Sequence, residues 1–170
     1  TAEGGRILLD HFQARGPSAS LDVQGELILE SAFDLQATYT AADLEGIPKT
    51  ILGDATGSTI RAKASAIGPW DSPEVLGQVQ IDTLHAAGAA FEGLTLDVNV
   101  PLQEEGGASL HAKSALWGGR ELRGFYAEVG IHGEDISFLT GNPEGSENHV
   151  SVWGGATLTD DSLSVRVDST

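Results

Sequence analysis

The feature that most narrows what this chain can fold into is a two-residue alternation of apolar and polar side chains. Phe33 to Thr40 keeps it without an error, and Leu94 to Asn99 and Ser162 to Asp168 do the same. Weaker copies run over Ser20 to Gln24, Thr59 to Ala66, Gln78 to Leu84, Ser109 to Lys113 and Phe125 to His132. Successive side chains of a strand point to opposite faces, so each segment has one apolar and one wet face. That is the pattern of an antiparallel sheet covered on one side only. The expected fold class is all-β.

Turn-forming residues separate these segments. Gly4-Gly5, Gly16-Pro17, Gly106-Gly107, Gly118-Gly119, Asn142-Pro143 and Gly154-Gly155 are read as turns because they tolerate turn dihedrals. The resulting spacing, roughly 8–15 residues from strand to strand, suits a meander or barrel-like sheet. One stretch breaks the rhythm. Ala42 to Ala55 sets Leu44, Ile47 and Ile51 at three- and four-residue spacing, giving either one short helix over about 43–52, limited by Pro48, or an irregular loop. With no linker or low-complexity segment, residues 1–170 read as a single β-rich domain. Leu116 to Leu122 and Val152 to Leu158 echo one another as strand, Trp-Gly-Gly turn, strand. Two copies do not make a repeat array.

Charge removes whole classes of partner. With 9 Lys+Arg against 25 Asp+Glu the net charge is −16, which argues against nucleic acid and against an anionic membrane surface. The chain has no Cys, so disulfides, thiol catalysis and Cys-ligated zinc are excluded. Its apolar runs fall far short of the ~20 residues of a spanning helix, and nothing near Thr1 resembles a signal peptide. A chain that starts at Thr1 and has no Met reads as a soluble piece of a longer protein.

Chemistry finds little support. His11, His85, His111, His132 and His149 form no metal-binding pair at a known spacing, and His111 and His132 fall among the wet positions of their strands. Glu134-Asp135 and 142–148 are acidic loops without the ligand spacing of a calcium loop, and Asp160-Asp161 reads as a turn. There is no G-x-S-x-G elbow and no phosphate-cradling Gly loop leading into a helix. Among 25 scattered acids a carboxylate pair arises by chance. The chain reads as a non-enzyme without cofactor or metal.

The middle of the chain resembles a known family. Gly53, Gly57, a strand to Ala66, Gly68-Pro69-Trp70, Pro73, Leu76-Gly77 and a strand to Leu84 follow one another. A strand ending in Gly, then Pro, then Gly and a new strand is similar to the TamB family, AsmA-like envelope proteins of bacteria with two membranes. Ala87 to Val98, Leu122 to Phe125 and Val129 to Gly133 resemble that family's strand pairs, so the likeness covers roughly residues 50–140. It implies a long twisted sheet curled like a taco around an apolar concave face. It implies a periplasmic protein, anchored to the inner membrane, that carries phospholipid or another acyl-chain lipid towards the outer membrane. A second role implied for the family is assembly of outer-membrane barrel proteins.

Parity then names the lining of such a groove. On one face lie Leu21, Val23, Phe33, Leu35, Ala37, Tyr39, Ile60, Ala62, Ala64, Val79 and Ile81. Leu94, Leu96, Val98, Leu110, Ala112, Phe125, Ala127, Val129, Ile131, Leu163, Val165 and Val167 continue it. Parity alone does not separate a lipid-bearing face from a closed core. Two other readings stand beside the lipid groove. One is a closed extracellular β-sandwich that stacks glycans on Trp70, Trp117 and Trp153. The other is a scaffold that adds an unfolded barrel strand to an open sheet edge. An exposed edge or apolar face also predicts self-association.

Overall fold

The computed structural model describes residues 2–3, 5–29, 31–44, 54–86, 88–101, 105–133, 135–143, 146, 149–159 and 162–169. They form twelve strands: β1 (Ala2–Glu3), β2 (Arg6–Arg15), β3 (Ala19–Ile28), β4 (Ala32–Asp43), β5 (Thr56–Pro69) and β6 (Glu74–Ala86). β7 (Ala89–Pro101), β8 (Glu105–Trp117), β9 (Arg120–His132), β10 (Asp135–Gly141), β11 (Ser151–Thr159) and β12 (Ser162–Ser169) complete the set. Every strand pairs antiparallel with its neighbour in sequence, giving one meander of order β1 to β12. The sheet is curled and open, and each strand contacts only its ladder neighbours. Its solvent-accessible surface is 11271 Å2, against about 8000 Å2 for a compact protein of this size. A single layer explains the excess.

Alternation produces the expected sidedness. Along β4, Phe33, Leu35, Ala37 and Tyr39 are half-buried, while Asp34, Gln36, Thr38 and Thr40 are exposed. Two of the six turn assignments are corrected. Gly106-Gly107 lies inside β8 and Gly154-Gly155 inside β11, where the missing side chains admit a neighbour: a Cβ on Gly154 would run into the ring of Phe138 and the backbone of Arg166. The echo between 116–122 and 152–158 fails for the same reason. Trp117-Gly118-Gly119 leads into a hairpin, whereas Trp153-Gly154-Gly155 continues a straight ladder. The proposed helix over 43–52 begins in strand, since Asp43 ends β4 and Leu44 is a bend; 45–53 lie outside the described residues. Asp160-Asp161 lies outside them as well.

A crease crosses the sheet. From β4 to β9 each pair of strands keeps its register, but every ladder is interrupted. The gap is one rung in four of them and two between β7 and β8, where Leu94 opposite Ala112 is missing as well. The missing rungs fall at Ala42 opposite Thr59, Thr59 opposite Asp82, Asp82 opposite Gly93, Gly93 opposite Lys113 and Lys113 opposite Gly124. These six residues form one line, and on alternate strands they take left-handed φ: Thr59 at 48°, Gly93 at 59° and Gly124 at 65°. A residue in that region turns the chain, so the side-chain sequence loses one step of parity. Apolar residues jump by three across the line, around the left-handed Gly93 and Gly124 (Phe91 and Leu94, Leu122 and Phe125) and equally on the strands between them (Ile81 and Leu84, Ala112 and Ala115).

The core sits on this crease. Ala41, Leu44, Ile60, Ile81, Leu94 and Ala112 form the buried cluster, and Leu84, Phe91 and Phe125 pack against it. Small residues on β8 let rings from β7 and β9 meet above them: Phe91 and Phe125 have centroids 5.9 Å apart, and Ala112 and Ala115 are almost fully buried. Elsewhere no second layer packs on the same face among the described residues.

Candidate functional site

Cross-strand register decides which side chains share the apolar face. One transverse row can be followed through eleven strands: Phe12, Val23, Ala37, Ala64, Gly77, Val98, Ala108, Val129, Phe138, Gly154 and Val167. The next row runs Leu21, Tyr39, Ala62, Val79, Leu96, Leu110 and Ala127. At the crease Ile60, Ile81 and Leu94 pair in one row and Ala112 and Phe125 in another, and the buried cluster brings Leu94 and Ala112 together. Phe33 and Leu35 continue the face on β4, and Ile131 on β9, opposite Ile136. Leu163 and Val165 join it by register alone, opposite Leu158 and Ala156; their side chains lie outside the described set. The register therefore brings all the lining residues expected from parity onto a single face.

That face is not uniformly shielded. At the crease Ile60 and Leu94 are 2% and 4% exposed. Towards the C-terminal strands Val129, Ile131 and Val167 are 41%, 42% and 59% exposed. Phe12, half-exposed on β2, joins them because of an edge bulge: one extra residue between Leu9 and Phe12 puts both on the apolar side and turns Asp10 and His11 outward. Parity reasoning missed Phe12 for this reason, since the bulge breaks the period. It missed Leu44, Leu84, Phe91, Ala115 and Leu122 because they lie across the crease. Their signal was the three-residue apolar spacing beside Gly93 and Gly124.

The other singled-out residues are scattered. All five histidines are exposed, with His11 3.0 Å from Asp22 and His132 3.3 Å from Glu105. Among the described residues no group of three His, Asp or Glu could hold a metal. The three Trp form no common platform. Trp70 packs on Phe33 with centroids 4.9 Å apart and donates from Nε1 to the Ile28 carbonyl, tying the β5–β6 turn to the β3–β4 turn. Trp117 stands exposed at the end of β8, and Trp153 lies on the polar face of β11.

No helix among the described residues is long and apolar enough to cross a membrane. No family model, no curated protein and no solved structure matches the chain.

Proposed function

We propose that the apolar face is a non-enzymatic carrying surface for phospholipid or another acyl-chain lipid, in a periplasmic protein that serves traffic between two membranes. The observation that carries this reading is a continuous apolar face, aligned by register over eleven strands, on which no second layer packs among the described residues. An acyl chain laid on such a face gains about 0.8 kcal/mol per buried methylene. The central row of Ala37, Ala64, Gly77, Val98 and Ala108 carries only small side chains, which suits a ligand that has to slide rather than lock. Acidic side chains on the opposite face keep such an open sheet soluble and oppose stacking of copies. Its placement in the periplasm rests on the resemblance to the TamB family.

Native mass spectrometry of the purified chain, with identification of bound lipid, tests the reading. Phospholipid is expected to co-purify and to be lost in Leu96→Asp, which sets a charge in the middle of the face between Val79 and Leu110. A bare wild-type chain, or full occupancy in a folded Leu96→Asp variant, would overturn it. The open sheet favours a second reading, a scaffold for outer-membrane barrel proteins acting by strand addition. That reading predicts capture of barrel-strand peptides without bound lipid.

A further inference from the structure

A long groove crosses the polar side of the sheet, unused by the lipid reading. Its volume is about 820 Å3. One wall is the register row Thr38, Lys63, Gln78, Asp97, Ser109 and Glu128, one residue from each strand β4 to β9. Gln36, Ser65, Leu76 and Asn99 stand in the facing wall, and the floor is the backbone of the row from Ala37 to Val129. Tyr39, Val79, Leu96 and Leu110 would wall a groove on the apolar side, and none of them lines this one. Six strands at ~4.8 Å make it about 24 Å long.

The chemistry of the wall is orderly. The Gln78 amide Nε2 donates to Asp97 Oδ1 at 2.7 Å, and Gln80 Nε2 donates to Gln78 Oε1 at 3.2 Å. Planar amide and carboxylate groups are thereby held in fixed orientation, with one ammonium, Lys63, and hydroxyls among them. Beyond Glu128 the same row continues through Leu139 to Trp153, whose side chain is 38% exposed on the same face. The facing wall falls away at that end, where Gly107, Gly130 and Gly155 take its positions around Ser137. An accessible indole thus stands on the same face two strands, about 10 Å, beyond the last lining residue.

We infer that this groove binds a linear, extended, neutral glycan, its chain running across the strands and one sugar stacking on Trp153. Each part of the inference answers a feature of the groove. Donors and acceptors repeated at strand spacing match a polymer whose hydroxyls repeat along a flat ribbon, as in a β-1,4-linked chain. The indole takes the C–H face of a pyranose while the sugar's edges stay hydrogen-bonded. A polyanionic chain is disfavoured by Asp97 and Glu128 in the walls and by the net charge of −16. An acyl chain would leave the polar groups without partners. The inference is independent of the lipid reading, because it concerns the opposite face.

Cellohexaose and chitohexaose titrated into the full chain, followed by tryptophan fluorescence and calorimetry, provide the test. At least one is expected to bind saturably. Trp153→Ala is expected to weaken it about tenfold, the scale of one aromatic stacking contact. Asp97→Ala is expected to weaken it too, and Trp117→Ala, off the row, to bind as wild type does. Absence of binding by both hexasaccharides at millimolar concentration would overturn the inference. So would unchanged affinity in folded Trp153→Ala and Asp97→Ala variants, with folding checked by circular dichroism.

Discussion

Two isoleucines on the same face give a direct measure of how open that face is. Ile60 lies in the crease and is 2% exposed, packed among Ala41, Ile81 and Leu94; Ile131, on β9, is 42% exposed. Replacing either by Ala removes three carbon groups. At about 0.8 kcal/mol each, Ile60→Ala loses roughly 2.4 kcal/mol of transfer energy. The cavity left in a packed cluster brings the expected cost to about 3–4 kcal/mol. At Ile131 nearly half of the residue already meets water, and no closed cavity forms, so the expected cost is about 1 kcal/mol. Urea unfolding followed by circular dichroism reads the difference. With a slope of about 2 kcal/mol/M, the midpoint should fall by about 1.5–2 M for Ile60→Ala and about 0.5 M for Ile131→Ala. Equal losses at the two sites would mean that something covers the face over β9, and the open-surface argument would fail. A loss below about 1 kcal/mol at Ile60 would show that the crease is not the packed core.

The crease yields two more expectations. Thr59 is β-branched and held at φ 48°, a conformation that costs such a residue of order 1 kcal/mol, so Thr59→Gly is expected to raise the urea midpoint rather than lower it. A lowered midpoint would show that the Thr side chain contributes more than its backbone strain costs. Asn142 is 1% exposed, and its Oδ1 accepts a hydrogen bond from the Val150 amide at 2.8 Å where the loop between β10 and β11 closes. Asn142→Ala leaves a donor unpaired and should cost about 1–3 kcal/mol, read as a lower thermal midpoint with more rapid amide exchange at Val150.

Particular residues show how far the chain could be read in advance. Phe33 to Thr40 and Leu94 to Asn99 declare their faces locally, because a strand's side-chain period is two whatever its neighbours do. Gly118-Gly119 declares a turn in the same local way. Gly106-Gly107 and Gly154-Gly155 misled for a physical reason: glycine suits a turn, but it also suits a strand where a neighbouring backbone or ring comes close. The sequence offers Trp153 beside Trp70 and Trp117 as a candidate for stacking a sugar, with nothing local to separate the three. The place of Trp153 at the end of a row with Asp97 and Glu128 exists only through pairing with β10.

The all-β class, the one-sided strands and the identity of the apolar face were determined by the sequence alone, since each depends on contacts between residues one or two positions apart. The crease, the open single layer and the transverse rows were decided by tertiary structure. Thr59, Gly93 and Gly124 lie far apart in the chain and become one line only when four ladders are in register. Whether an apolar face closes on a second layer or stays free depends on the path of the whole meander. Alternating strands bury their apolar sides equally well in a sandwich, in a barrel or against a guest, so local pattern is blind to that choice.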